Sequence, residues 1–134
     1  MNSKKILLVT GSTGLIGSEI VSRLSGDYEL VYGIDNNERS KFFGKSGSNL
    51  KTKNFLLKNI KNYKHINLDI TNKKKVFNLI DLLKPKDLAH CAAQPSHDTA
   101  AKIPLRDFDV NASATLNLMD AVRIKSKKTC VVYF

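Results

Sequence analysis

One hundred and thirty-four residues, 42% hydrophobic and 25% charged, are enough for one globular domain with its own core and too few for the two domains many cofactor-dependent enzymes need. The longest aliphatic run, Ile6 to Val9, is cut off by Thr10 and Gly11, far short of the roughly eighteen apolar residues of a membrane span. The basic opening Met1-Asn2-Ser3-Lys4-Lys5 is followed by neither a long apolar region nor a small-residue cleavage site, so a cytoplasmic location and no membrane partner are expected.

The net charge of +10 is unevenly placed: between Arg39 and Lys64 there are eight basic residues and no acidic one. Eighteen of the 22 basic residues are lysines, and Asn and Ile are also frequent, as an A+T-rich coding sequence would give. Nucleic-acid recognition adds clustered arginines and stacking aromatics. Phe42, Phe43, Phe55 and Tyr63 lie near, but the expected role of this segment is a solvated basic face.

Along the chain, Lys5 to Thr10 reads as a first strand. Leu15, Ile16, Ile20, Val21 and Leu24 then give one apolar helix face over about 15–25, stopped by Gly26. Leu30 to Asp35 reads as the second strand. Residues 36–63 are irregular, with Gly44 and Gly47 in a loop and a short helix around Leu50, Phe55, Leu56, Leu57 and Ile60. Lys64 to Ile70 is the expected third strand. Val76 to Leu83 comes next as a helix, with Thr71 or Asn72 as N-cap and Pro85 as stop. Asp87 to Ala93 is the fourth strand. A long helix opening near Pro104 carries Leu116, Leu118, Met119 and Val122, and Lys128 to Phe134 is the fifth strand. Cys91 and Cys130 sit in apolar runs and are expected to be small buried hydrophobes, with no disulfide or metal role. Of the histidines, His90 is expected inside a strand, packed and hydrogen-bonded, and His65 exposed at a strand start.

Short β-branched runs alternating with helices indicate βαβ units. The expected architecture is an α/β, Rossmann-like doubly wound parallel sheet of strand order 3-2-1-4-5, with residues 1–134 forming one dinucleotide-binding domain. The first strand is placed centrally because it leads directly into Gly11-Ser12-Thr13-Gly14-Leu15-Ile16-Gly17. In such a strand-to-helix turn Gly11 allows the bend, Gly14 clears space for a pyrophosphate and Gly17 lets helix pack on strand, while the helix amides of Leu15, Ile16 and Gly17 face the anion. Ser12 and Thr13 are expected to add hydroxyl donors. Asp35 ends the second strand eighteen residues beyond Gly17, close to the spacing at which an acidic residue takes the ribose hydroxyls. It would repel a 2′-phosphate, so NAD is expected over NADP, although Arg39 lies four residues on. Asn36 and Asn37 come directly after it. Asp69 and Ile70 would lie beside the adenine, with a capping role for Asp69 as the alternative. Ala92, Ala93 and Gln94 would leave room for the cofactor, with Ser96, His97 and Asp98 at the mouth of the cleft on the substrate side.

These residues resemble the extended short-chain dehydrogenase/reductases that act as NAD-dependent nucleotide-sugar epimerases and dehydratases. The resemblance runs from the GSTGLIG turn through GIDNN (Gly33 to Asn37) to DVNASATLNLMDA (Asp109 to Ala121), and within the family DNNERSKFFG and AAQPSHDTAA resemble the CDP-sugar 2-epimerases. The resemblance implies tightly held NAD that oxidises the sugar transiently and returns the hydride to the other face. It also implies that Asn111 is the helix asparagine supporting the active-site geometry. Ala114 stands where the family usually has glycine, and Thr99 where close relatives have tryptophan.

The family's catalytic Tyr-x-x-x-Lys is absent from these residues: Tyr28, Tyr32 and Tyr63 are followed four positions on by Tyr32, Asn36 and Asn67. No catalytic residue is therefore assigned. The chain is expected to be a truncated, cofactor-binding portion, inactive alone, with a homodimer or a complementing C-terminal half as its protein partner. A fragment of a 4-epimerase, 4,6-dehydratase or reductase, or a free-standing NAD-binding module, is the alternative.

Overall fold

Residues 4–134 are described by the computed structural model. The five apolar runs form β1 (Ile6–Thr10), β2 (Leu30–Ile34), β3 (Tyr63–Ile66), β4 (Asp87–His90) and β5 (Cys130–Tyr133). All pair in parallel, in the order β3-β2-β1-β4-β5. The helices between them are α1 (Leu15–Leu24), α2 (Arg39–Phe43), α3 (Leu50–Asn59), α4 (Lys73–Leu83), α5 (His97–Lys102), α6 (Pro104–Phe108) and α7 (Ala114–Lys125). α6 continues into α7 through a π turn at Asp109–Ser113. This is the expected Rossmann-like doubly wound fold. No helix among the described residues is long and apolar enough to cross a membrane.

Alternation along the central strand divides the core. Leu7 and Val9 face Val21, Val31, Leu56 and Tyr63 on the α1/α3 side. Leu8 faces Ile80, Leu88, Leu118 and Val122 on the α4/α7 side. A parallel sheet covered on both faces requires such near-continuous apolar strands, and all five residues of β1 are buried.

Several expected boundaries move. β3 stops at Ile66, the partner of the last β2 residue Ile34, and the chain then turns so that Leu68 and Ile70 join the α4-side core. Asp69 and Ile70 are thus in the turn after β3, not in the strand. β4 stops at His90: the Cys91 amide still donates to the Thr10 carbonyl at 3.1 Å, but the Ala92 amide turns to the Thr10 hydroxyl at 3.2 Å. The 36–63 segment holds two helices, α2 and α3, rather than one, and of its expected apolar anchors Leu56 is buried while Leu50, Phe55 and Leu57 are exposed.

The expected apolar faces are also rotated. In α1 the buried residues are Gly17 and Val21. Leu15 is 87% exposed, because two residues of helix place it about 200° from Gly17. In α7, Ala114, Leu118, Ala121 and Val122 are buried. Leu116 lies midway between Ala114 and Leu118 on the opposite face and is exposed. α4 matches expectation, with Asn72 as N-cap accepting from the Lys75 amide at 3.1 Å. Both cysteines are free thiols, but Cys130 is exposed and Cys91 only partly buried; Cys130 opens β5, which among the described residues pairs with β4 alone. His65 is half-buried within β3, 3.3 Å from the Tyr63 hydroxyl, rather than exposed at its start.

Candidate functional site

In a sheet ordered β3-β2-β1-β4-β5 the chain reverses direction of winding between β1 and β4, so the loops after those strands diverge and leave a crevice at their carboxyl ends. The β1–α1 turn forms its floor. Gly11 has φ of +65°, a conformation that disfavours side chains. A Cβ on Gly17 would lie 2.2 Å from the Gly11 carbonyl oxygen, so only glycine allows α1 to approach this closely. The N-cap of α1 is Gly14, which supplies no side-chain cap, so no side chain competes for the first-turn amides of the helix.

A cleft of about 150 Å³ opens over this turn. Its walls bring together Gly11, Gly14, Asp35, Asn36, Asp69, Ile70, Ala92 and Ala93, eight of the residues expected from sequence. Thr13, Asn36 and Asn37 line an adjoining hollow of about 220 Å³ that shares Asp35. Asp35 joins the two: its Oδ2 accepts from the Thr13 amide at 3.1 Å and its Oδ1 from the Asn37 amide at 2.8 Å. Each oxygen retains lone-pair capacity for a further donor.

Other expected residues are placed elsewhere. Ser12 is fully buried, its hydroxyl 2.9 Å from the Tyr63 hydroxyl. It therefore faces the core rather than an anion, and it fills the space beside Gly33, where a Cβ would lie 2.4 Å from either oxygen. Leu15 and Ile16 are exposed at the start of α1, and Gly17 packs against Gly11. Gln94 and Asn111 form a layer behind the cleft: the Gln94 amide donates to Asn111 Oδ1 at 3.0 Å, and Asn111 Nδ2 donates to Asp107 at 3.0 Å. Gln94 Nε2 is buried without a partner, while its Oε1 accepts from the Ser96 amide. Ser96 caps α5 by accepting from the Thr99 amide at 3.2 Å, and His97 and Asp98 form the first turn of that helix.

Two groups were not legible in the sequence. The first is Arg106 on α6. Its guanidinium makes a two-pronged contact with Glu38 (2.7 and 2.8 Å) and reaches Asp69 at 2.7 Å, joining the loops after β2 and β3 at the cleft wall. Burial alone would raise the Asp69 carboxyl, but the Thr71 amide and hydroxyl and then Arg106 outweigh it and hold it below the usual range. The second is the choice of partners for His90, which is packed and hydrogen-bonded in β4 as expected and joins Thr10 to Thr115 beneath the cleft. Burial pushes His90 down to about 4, so it is neutral at pH 7. No local spacing signals either group, since their partners are 25 to 80 residues away. Arg39, four residues beyond Asp35, lines the cleft while its guanidinium stacks 4.7 Å over the Phe43 ring.

Comparison with known proteins places this geometry. The family model described as GDP-mannose 4,6 dehydratase matches residues 8–134. A CDP-paratose 2-epimerase of Salmonella typhi is 33% identical over 128 residues, covering 95% of this chain and 35% of that protein. The bifunctional protein GAL10 of Candida maltosa is 30% identical over 129 residues, covering 96% of this chain and 80% of that one. Among solved structures, the Thermus thermophilus UDP-glucose 4-epimerase in complex with NAD superposes with a TM-score of 0.69 at 28% identity, covering 90% of this chain and 34% of that one. The chain thus spans about a third of the length of the Salmonella relative and of this solved structure. With a match from Leu8 of β1 to the final residue, the chain belongs to the GDP-mannose 4,6 dehydratase family of nucleotide-sugar epimerases and dehydratases.

Proposed function

We propose that the cleft holds NAD and that residues 1–134 form the cofactor side of a nucleotide-sugar epimerase of the CDP-paratose 2-epimerase kind. The observation that carries this is the pairing of the side-chain-free turn Gly11–Gly14 with the Asp35 carboxylate across one crevice. The residues fit the cofactor: the uncapped amides opening α1 suit a pyrophosphate, and the remaining lone pairs of Asp35 suit two ribose hydroxyls, each charge-assisted bond contributing roughly 1.5–3 kcal/mol. Asp69 and Ile70 on the opposite wall suit the adenine edge. Ala92 and Ala93 leave space along the β4 side, and Asn111 holds the loop after β4 through the Gln94 amide.

Asp35, at the β2 end of the cleft, repels a 2′-phosphate, which favours NAD over NADP, whereas the Glu38 carboxylate is already taken by Arg106. Bound NAD would supply reversible hydride removal at a sugar carbon. The chain's own part is to orient the cofactor and exclude water behind it. Ser96, His97 and Asp98 open α5 on the side where a CDP-sugar would enter. A Tyr-x-x-x-Lys pair is absent from these 134 residues, so the chain by itself binds cofactor without turning over substrate.

Calorimetric titration tests this directly. The chain should bind NAD in a 1:1 ratio and NADP at least about tenfold more weakly, and Asp35→Asn should reduce that difference. Interconversion of CDP-paratose and CDP-tyvelose by the 134-residue chain should be undetectable. A folded chain without saturable NAD binding, or with a preference for NADP, would overturn the reading.

A further inference from the structure

Seven lysines converge on one hollow at the opposite end of the sheet from the cofactor cleft. Lys4 and Lys5 precede β1, Lys84 and Lys86 flank the entry to β4, and Lys125, Lys127 and Lys128 lie between α7 and β5; they line a cavity of about 660 Å³ with no acidic or aromatic residue in its wall. We propose that this cavity is a second ligand site, for a small multivalent phosphate anion.

The arrangement is built by the sheet. The Lys86 amide donates to the Ile6 carbonyl at 2.9 Å, and the Lys86 carbonyl accepts from the Cys130 amide at 3.0 Å, so the amino ends of β1, β4 and β5 are laced together. Lys84 Nζ donates to the Lys125 carbonyl at 2.7 Å, joining the ends of α4 and α7. Lys84 also adopts left-handed backbone, φ +44°, at a helix end where glycine or asparagine is the unstrained choice.

Charge compensation is incomplete. Lys84 and Lys125 share Asp81, at 2.9 and 3.4 Å, and Lys5 lies 4.7 Å over the Tyr28 ring. Among the described residues Lys4, Lys86, Lys127 and Lys128 have no carboxylate within salt-bridge distance. Four unpaired ammonium groups around one concavity repel one another until an anion of several charges enters, and Lys is a point-charge phosphate binder that needs no fixed geometry. A duplex backbone instead calls for an extended basic stripe, whereas these lysines close around one hollow. The segment from Arg39 to Lys64, whose eight basic residues are the most prominent charge feature of the sequence, contributes none of these lysines.

Inorganic tripolyphosphate is the probe, titrated calorimetrically into the 134-residue chain with excess NAD present to occupy the glycine turn. One site should saturate. Lys86→Ala with Lys128→Ala should weaken it at least about tenfold, while Lys58→Ala with Lys61→Ala, on and just after α3, should change it less than about twofold. Thermal melts followed by circular dichroism establish that each variant folds. If the first pair does not fold, Lys4→Gln with Lys127→Gln, both outside strands and helices, should weaken binding in its place. Absence of saturable binding, equal losses in the test and control pairs, or tighter binding of a short DNA duplex than of tripolyphosphate through the same lysines would overturn the proposal.

Discussion

His90 Nδ1 lies 2.6 Å from Thr10 Oγ1 in the buried space between β4 and β1, and the surroundings fix which atom holds the proton. Thr10 Oγ1 already accepts from the Cys91 and Ala92 amides, each at 3.2 Å, so its own hydrogen goes to Nδ1. The neutral imidazole then carries its proton on Nε2 and donates to Thr115 Oγ1 at 2.9 Å. Thr115 in turn donates to the Asn111 carbonyl at 2.8 Å. One directional chain thereby connects the end of β1, the end of β4 and the π turn whose Asn111 holds the loop after β4.

Removing the Thr10 hydroxyl should therefore be far more damaging than a methyl-for-hydroxyl exchange suggests. Thr10→Val leaves the buried His90 Nδ1 and the partly buried Ala92 amide without partners, while the Cys91 amide keeps its bond to the Thr10 carbonyl at 3.1 Å. At roughly 1–3 kcal/mol for the buried His90 Nδ1 and about 1 kcal/mol for the partly exposed Ala92 amide, the loss is about 2–4 kcal/mol. Urea unfolding measures it, and Thr10→Ser should retain most of the stability. Equal stability of Thr10→Val and wild type would refute the chain as drawn.

The same chain sets a pH dependence. His90 is pushed down to about 4 by burial, against an ordinary value of 6.5, so below pH 6.5 the unfolded chain takes up a proton that the folded chain refuses. Stability from this residue is complete above pH 6.5, declines as pH falls from 6.5 toward 4, and levels off below that; the full change is about 3 kcal/mol. Unfolding free energies at pH 7.5 and 4.5 should show this slope in wild type and a shallower one in His90→Gln. A His90 imidazole that titrates near 6.5 by NMR would contradict the buried neutral form.

What sequence spacing disclosed and what it missed divide along sequence distance. The glycine turn, Asp35 and Asn72 as cap are local features, each within one element or one connection, and the strand order, though long-range, follows from placing the glycine turn at the switch point of a doubly wound sheet. Leu15 and Leu116 misled because apolar residues mark a helix without saying which face packs, and that is decided by Gly17 and Ala114, the small residues that let the helices approach. Ser12 misled for a related reason: a hydroxyl in a phosphate-type turn suggests a ligand, but the missing side chain at Gly33 draws it toward Tyr63. Arg106 and the Thr10–His90–Thr115 chain arise only when residues 25 to 80 positions apart are brought together by the sheet.

Arg106 gives a prediction for the cleft wall. Its pairs with Glu38 and Asp69 are partly exposed, with side-chain accessibilities of 29% for Arg106, 17% for Glu38 and 36% for Asp69, so screening reduces what they contribute. Arg106→Ala should cost about 1 kcal/mol of stability, and the difference from wild type should shrink at 1 M salt. Asp69 should titrate at higher pH in the variant, because Arg106 is one of the groups holding its carboxyl low. NAD binding, with Glu38 and Asp69 no longer tied across the cleft, should weaken about three- to tenfold. Unchanged NAD affinity with a shifted Asp69 would separate the wall's electrostatics from any positioning of the cofactor.

Gly17 makes the sharpest test of the turn. An alanine Cβ there would sit 2.2 Å from the Gly11 carbonyl oxygen and 2.8 Å from its carbon. Both are backbone atoms, held by the Gly14 amide donating to the Gly11 carbonyl at 3.0 Å, so neither can swing aside as a side chain would. Relief requires α1 to move off β1, which opens the Val21 packing against Leu7 and Val9 and displaces the amides that open the helix. Overpacking of this kind costs roughly 1–3 kcal/mol even where some adjustment is available, and Gly17→Ala should also abolish NAD binding in whatever fraction remains folded. Gly26→Ala is the matched control. No atom lies within 4 Å of a Cβ there, and the change should leave NAD binding intact and stability equal or slightly higher, through the reduced entropy of the unfolded chain. Calorimetry with NAD on both variants decides it: binding retained by Gly17→Ala would mean that α1 is free to shift without disturbing the cofactor's seat.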